Sequence, residues 1–256
     1  MFNLKGKVAL VTGGNGGIGL GMALGFARAG ARVVVAARDA AKSAGAVEQL
    51  KALGSDAFAL EVDVSDETSV QAMIDQAVQR CGQLDILVNN AGMNIRKPVE
   101  KLALMEWHSV LDVNLTSAFL CARAGYPHLK RPRDASAGGK IINIGSMTSL
   151  FGASFAPAYS ASKGGIVQLT RSIASAWAVD NIQANAILPG WIDTELTQQA
   201  RREVQGLNER VLARTPAGRW GRPHDLAGVA VFLASAASDF VTGTAIPVDG
   251  GYSIQA

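Results

Sequence analysis

Val8-Ala-Leu-Val-Thr-Gly-Gly-Asn-Gly-Gly-Ile-Gly19 is the stretch that decides how this chain folds. Residues 8–11 are apolar without alternation, the pattern of a strand covered on both faces. Glycines follow at once and open a helical segment. Gly14-x-Gly16-x-x-Gly19 satisfies the general spacing of a dinucleotide-binding turn, and Gly13-x-x-x-Gly17-x-Gly19 is a second, wider spacing. Glycine lets backbone N–H groups approach a pyrophosphate closely, and a helix N-terminus adds partial positive charge there. A tight turn alone needs fewer than the five glycines found in residues 13–19. Gly13, Asn15, Gly17, Ile18 and Gly19 are therefore expected to line a phosphate site.

Outward from this turn the same signal recurs. Residues 33–35, 84–88, 141–144 and 184–188 are mainly apolar runs, with 57–62 and 245–248 as two further strand candidates. Helical patterns lie between them. One is expected to follow Ser65 as N-cap, with Asp66 and Glu67 in the first turn and Val70, Met73, Ile74, Ala77 and Val78 as its apolar stripe. Another begins near Tyr159 and carries Ile166, Leu169, Ile173 and Trp177 on one side. Strand–helix alternation implies parallel strands joined by right-handed crossovers. The expected fold is α/β: a Rossmann-type doubly wound parallel sheet of about seven strands, with residues 1–256 as a single domain. No internal repeat or linker interrupts it. Residues 131–139 and roughly 194–222 read as irregular, the second as either a substrate lid or a plain surface excursion.

Composition narrows the function classes. Nearly half of the 256 residues are hydrophobic, enough for a large core. The net charge of +3 is scattered apart from Lys130, Arg131 and Arg133, which read as a solvated loop, so no basic stripe suggests nucleic acid. Cys81 and Cys121 stand in no metal or redox spacing and, with three histidines, no metal site is expected. They read as buried free thiols in a reducing compartment. Charges at Lys5 and Lys7 interrupt the N-terminal segment before any signal-like run, and no apolar run approaches the ~20 residues that span a bilayer. The expected location is the cytoplasm.

Chemistry is suggested by Tyr159 and Lys163, four apart on one expected helix and so on one face. A phenol titrates near ~10, and a nearby ammonium favours its ionised form. Bringing it to ~7 takes roughly 4 kcal/mol of differential interaction. Ser146 follows the strand at 141–144, where open parallel sheets build their sites. Asn114 stands between apolar Val113 and Leu115, either a satisfied structural amide or part of a site.

With Thr12-Gly-x-x-x-Gly-x-Gly19, Asn89-Asn-Ala-Gly92, Asn114, Ser146, Tyr159-x-x-x-Lys163, Pro189-Gly190 and Thr242-Gly-x-x-x-x-x-Asp-Gly-Gly251, the chain resembles the classical short-chain dehydrogenases/reductases over essentially its whole length. No catalytic position departs from that pattern. The resemblance implies that Tyr159 exchanges a proton with the substrate oxygen and that Lys163 lowers its pKa and binds the nicotinamide ribose. It implies that Ser146 orients the carbonyl or alcohol and that Asn114 holds a proton-relaying water. Asp63 and Val64 would contact the adenine, Asn89, Ala91 and Gly92 would line the cofactor cleft, and Pro189, Gly190, Ile192 and Thr194 would bracket the nicotinamide end. For Asn89 and Asn114 a purely structural role stays open. It further implies a homotetramer.

The end of the second strand, Val35-Ala-Ala-Arg-Asp39, lacks an acid at Ala37 to accept a ribose 2′-hydroxyl, and Arg38 could pair with a 2′-phosphate. This sets NADP(H) ahead of NAD(H), with Asp39 as the counter-signal and no basic residue inside the glycine loop. A finer resemblance, to gluconate 5-dehydrogenases and 2-deoxy-gluconate 3-dehydrogenases, rests on residues 89–98, 138–144 and 216–221. It implies a sugar-acid substrate, with Arg96 as a carboxylate fork or an ordinary surface arginine. The competing readings are a 3-oxoacyl-thioester or broad ketone reductase and, in a different class, a dinucleotide-binding redox sensor without turnover. The intact Asn114, Ser146, Tyr159 and Lys163 argue against the sensor.

Overall fold

The computed structural model describes residues 1–132 and 138–255. Seven strands form one parallel sheet in the order β3-β2-β1-β4-β5-β6-β7. They are β1 (Val8–Thr12), β2 (Arg32–Ala37), β3 (Phe58–Glu61), β4 (Ile86–Asn89), β5 (Gly139–Ile144), β6 (Ile182–Pro189) and β7 (Ala245–Val248). The five residues of β1 and the eight of β6 are all buried, which is why both are mainly apolar; the buried Asn185 of β6 is satisfied by donating to the Val241 carbonyl at 2.8 Å. Strand β4 begins two residues later than the apolar run at 84–88, because Asp85 turns its carboxylate back to accept from the Val8 N–H at 2.9 Å.

Helices α1 (Gly17–Arg28), α2 (Ala40–Lys51) and α9 (Ala227–Ala234) cover one face, closing a core of Met22, Phe26, Leu50, Leu226 and Leu233. Helices α3 (Glu67–Cys81), α5 (Ser117–Leu129) and α6 (Pro157–Trp177) cover the other, around Val70, Met73, Ile74, Leu120 and Ile173. Each such side chain stabilises the fold by roughly 1.5–3 kcal/mol when buried. The strand order reverses direction between β1 and β4, so the crevice at their carboxyl ends is where a sheet of this kind binds ligands.

Three expectations are corrected. Asp66, not Ser65, caps α3: its carboxylate accepts from the Ser69 N–H at 2.8 Å, while Ser65 donates to Asp63. Residues 194–222 are not irregular throughout, since they hold α7 (Glu195–Glu203) and α8 (Leu207–Arg214). These helices bury only Ala200, Leu207 and Val211 against Trp220, too few apolar positions to set a visible period. Cys81 is only half-buried, whereas Cys121 is buried and its thiol is pushed up to about 12 by burial.

Of the basic cluster, Lys130 pairs with Asp180 at 2.8 Å and Arg131 donates to the His128 and Leu84 carbonyls, while Arg133 lies outside the described residues. Of the irregular stretch at 131–139, residues 133–137 lie outside them too. Among the described residues no helix is long and apolar enough to cross a membrane and no side-chain cluster could hold a metal ion.

Candidate active site

A cleft of ≈590 Å³ runs along the carboxyl ends of the strands. Its floor at one end is the turn between β1 and α1. There Gly13 and Gly17 take positive φ values of 63° and 49°, which favour glycine. A Cβ on Gly19 would stand 2.3 Å from the Gly13 carbonyl oxygen, so the turn closes on itself only without side chains. Helix α1 starts with no capping side chain and no acid in its first turn, whereas Asp39 and Asp66 cap α2 and α3. The first N–H groups of α1 are left for an anion, as a dinucleotide pyrophosphate requires.

Gly13, Asn15, Gly17, Ile18 and Gly19 all line this end. Asn15 is held there by donating to the Ser43 hydroxyl at 3.2 Å. The Asn90 amide steadies the turn by donating to the Thr12 and Gly13 carbonyls at 2.9 and 3.1 Å. Arg38, Asp63 and Val64 form the adjoining wall. Hydrogen bonds from Ser65 hold the Asp63 carboxyl below its ordinary range, helped by the Arg38 charge. Asp39 lines the same wall, and one oxygen of its carboxylate accepts from the Lys42 N–H at 2.9 Å. At the far end Ala91, Gly92, Pro189, Gly190, Ile192 and Thr194 are in the wall as expected.

Asn89 is not in that wall. It is buried in the sheet, donating to Asn143 at 2.8 Å, and Asn90 takes the place facing the cleft. The cleft also holds Lys42, which the sequence reading passed over. The one signal for it was a basic residue four positions after Arg38.

Ser146, Tyr159 and Lys163 meet at the middle of the cleft. Ser146 lies just beyond β5, and its N–H donates to the Ser149 hydroxyl at 3.1 Å; Ser149 in turn donates to the Lys163 carbonyl at 2.6 Å. Lys163 is 4 % exposed and its ammonium donates to the Ile144 carbonyl at 2.7 Å, 5.6 Å from the Tyr159 ring centre. Burial pulls its pKa down to about 8. Burial raises the Tyr159 phenol, and a hydrogen bond with Ser146 pulls it back.

Asn114 sits in a π-helical turn, Asp112–Thr116, between α4 (Leu104–Leu111) and α5. Such one-residue widenings re-aim side chains and gather at functional sites. Its amide oxygen accepts from the Met93 N–H at 2.8 Å, and its nitrogen donates to the Met93 carbonyl at 2.9 Å and the Ser162 hydroxyl at 3.1 Å. Ser162 donates to the Tyr159 carbonyl at 2.8 Å. A Cβ on Gly92 would stand 3.3 Å from the Asn114 oxygen and 3.7 Å from the Lys163 ammonium. Glycine there leaves a polar space between the two.

Arg96 does not line the cleft. It is half-buried on the loop beyond Met93, its guanidinium 4.9 Å from the Phe155 ring centre, with no acidic partner among the described residues.

A proton donor set in the floor of a dinucleotide cleft, at the switch point of a parallel sheet, is the arrangement of an oxidoreductase acting on CH–OH groups. The chain belongs to the short-chain dehydrogenase/reductase family: residues 13–253 match the family described as enoyl-(acyl carrier protein) reductase, and full-length relatives agree. It is 44 % identical to 2-dehydro-3-deoxy-D-gluconate 5-dehydrogenase of Escherichia coli, covering 98 % of this chain and 97 % of that one. It is 39 % identical to 5-keto-D-gluconate 5-reductase of the same organism, again over 98 % and 97 %. The crystal structure of a gluconate 5-dehydrogenase from Burkholderia cenocepacia in complex with NADP and tartrate superposes with a TM-score of 0.92 at 40 % identity, covering 100 % of this chain and 98 % of that one.

Proposed function

We propose that this protein interconverts a secondary alcohol and a ketone on a sugar acid of the gluconate type, using NADP(H) ahead of NAD(H). The observation that carries the reading is the meeting of Ser146, Tyr159 and Lys163 in one cleft whose other end is the uncapped start of α1. The sugar-acid class is supported by the names of the relatives, and NADP(H) by the complex of the Burkholderia enzyme together with Arg38 on the cleft wall.

When bound, the nicotinamide supplies or accepts the hydride. Gly13, Asn15, Gly17, Ile18 and Gly19 would hold the pyrophosphate half, Arg38 the 2′-phosphate, Asp63 and Val64 the adenine, and Ala91, Gly92, Pro189, Gly190, Ile192 and Thr194 the nicotinamide half. Asn89 supports that wall from inside the sheet. In the oxidative direction Tyr159 takes the alcohol proton, and in the reductive direction its hydroxyl returns a proton to the ketone oxygen. Ser146 donates to the same oxygen and fixes its position. Lys163 orients the ribose and, when charged, favours the Tyr159 phenolate. Asn114 and Lys163 flank the space above Gly92, where a water would pass the proton outward.

Arg96, stacked on Phe155 and without an acid of its own, would take the substrate carboxylate, an ion that pairs bidentately with a guanidinium. The reading also takes residues 1–256 as one cytoplasmic domain that assembles as a homotetramer. Light scattering at micromolar concentration tests the assembly, and a monomer would refute it.

The deciding experiment is a spectrophotometric screen of sugar acids, polyols and 3-oxoacyl thioesters with both nicotinamide cofactors. Preferred turnover of a sugar acid with NADP(H) is expected. Preferred turnover of an oxoacyl thioester would overturn the substrate class.

A further inference from the structure

The glycine loop offers a phosphate no charged partner, since residues 13–19 contain no cation. The structure brings one in from α2. Lys42 lines the cleft, and a Cβ on Gly16 would stand 2.8 Å from its Cε and 3.1 Å from its ammonium. The missing side chain at Gly16 is therefore the space in which Lys42 lies over the loop. Arg38, four residues earlier and just past the end of β2, lines the same cleft. Asp39, between them in sequence, accepts from the Lys42 N–H at one carboxylate oxygen. Two cations thus line the cleft, and the acid between them caps α2 with one carboxylate oxygen.

The partner of Lys42 is informative. Its ammonium donates to Glu195 at 2.6 Å, and Glu195 opens α7 on the opposite side of the cleft. The neighbouring Thr194 overlies Gly17: a Cβ there would stand 3.3 Å from the Thr194 methyl. The pair is exposed, at 38 % and 83 % for the two side chains, so water screens it and it holds weakly. A dianionic phosphate with several acceptor oxygens competes well against one screened carboxylate.

We propose that Lys42 is a specificity residue for the 2′-phosphate of NADP(H), and that Glu195 holds its ammonium until that phosphate arrives. The exchange releases the Lys42 tether between α2 and α7. This inference rests on the NADP(H) reading above and adds to it a second cation, from a position outside the glycine loop.

Wild type, Lys42→Met and Glu195→Gln are titrated by calorimetry with NADPH, NADH, adenosine 2′,5′-bisphosphate and adenosine 5′-monophosphate, with thermal melting to confirm folding. Lys42→Met is expected to weaken NADPH and the bisphosphate by about tenfold or more and to leave NADH and the monophosphate within about twofold. Glu195→Gln is expected to tighten NADPH by about two- to threefold and leave NADH unchanged. Equal weakening of both cofactors in Lys42→Met would place Lys42 at the pyrophosphate and overturn the assignment, as would no weakening of either. An unchanged NADPH affinity in Glu195→Gln would overturn the exchange. If wild type binds NADH as tightly as NADPH, the NADP(H) reading itself fails. A preference for NADPH that survives in Lys42→Met sinks only the role of Lys42.

Discussion

The floor of the cleft and its adenosine lip are built on different principles. On the floor, Asn114, Ser162 and Lys163 are 2 %, 0 % and 4 % exposed. Neutral hydrogen bonds run from Met93 through Asn114 and Ser162 to the Tyr159 backbone, and from Ser146 through Ser149 to the Lys163 backbone. On the lip, Arg38 and Lys42 are exposed cations, and the direct Lys42–Glu195 pair is itself exposed to solvent. Buried networks specify one geometry because a lost partner leaves a desolvated polar group. Exposed ion pairs cost little to break, so they can change partners. Floor substitutions should therefore act on turnover and stability, and lip substitutions on which cofactor binds.

The largest effect belongs to the floor. Tyr159→Phe keeps the ring and removes the transferable proton, so turnover should fall by roughly 10²–10⁴-fold. NADPH affinity, read by titration, should barely change. Retained turnover would break the contrast at its strongest point.

On the lip, Arg38→Ala should cost roughly 1.5–3 kcal/mol of NADP(H) binding, the worth of a hydrogen bond to a charged group, and much less of NAD(H) binding. Equal losses in the two titrations would show that Arg38 reads no phosphate. Arg96 tests a third case, a half-buried cation stacked on a ring. Arg96→Ala should remove roughly 1.5–3 kcal/mol of kcat/KM preference for gluconate-like acids over their neutral sugar or lactone counterparts. A variant that keeps the full preference makes Arg96 an ordinary loop residue.

Ser162→Ala sharpens the contrast from inside the network. It strips one acceptor from the Asn114 amide, and an unsatisfied buried donor costs about 1–3 kcal/mol. Denaturant unfolding should register that loss while the ratio of NADPH to NADH affinity stays constant. A shifted ratio would mean that floor and lip are coupled.

This division also explains what was legible in the sequence. The floor and the sheet were readable because buried strands demand mainly apolar runs, because the glycine turn and Ser146 follow strand ends closely, and because Tyr159 and Lys163 stand four apart on one helix. Asn89 misled, since a residue at the end of β4 has its side chain on one of two faces and a single position sets no alternation. Asn90, the next residue, faces the cleft instead. Lys42 went unread because its role depends on tertiary placement over Gly16, which no local spacing encodes. Helices α7 and α8 were hidden for an energetic reason: three buried side chains leave almost no apolar stripe to see.

The smallest effect expected is a displacement of a pH profile, and it isolates Ser146. Burial raises the Tyr159 phenol, and a hydrogen bond with Ser146 lowers it. Ser146→Ala removes the lowering influence and leaves the raising one, so Tyr159 should titrate at higher pH in the variant. Alcohol oxidation needs the phenolate to receive a proton, so its rate climbs as pH passes the Tyr159 pKa. The acid limb of kcat against pH should therefore move upward in Ser146→Ala, at saturating cofactor, alongside the loss of rate from a mispositioned substrate. Ketone reduction needs the phenol, so its alkaline limb should move upward as well. Lys163 supplies the internal check. Its pKa of about 8 lies below the ordinary lysine value of 10.5, so the unfolded chain binds more protons between those limits. The penalty for burying the ammonium is present below about 8 and is relieved as pH rises toward 10.5. Stability measured across that window should rise in wild type relative to Lys163→Met, and Ser146→Ala should leave that rise intact. A pH profile that moves downward in Ser146→Ala, or does not move, would show that Ser146 leaves the Tyr159 proton untouched and acts on substrate position alone.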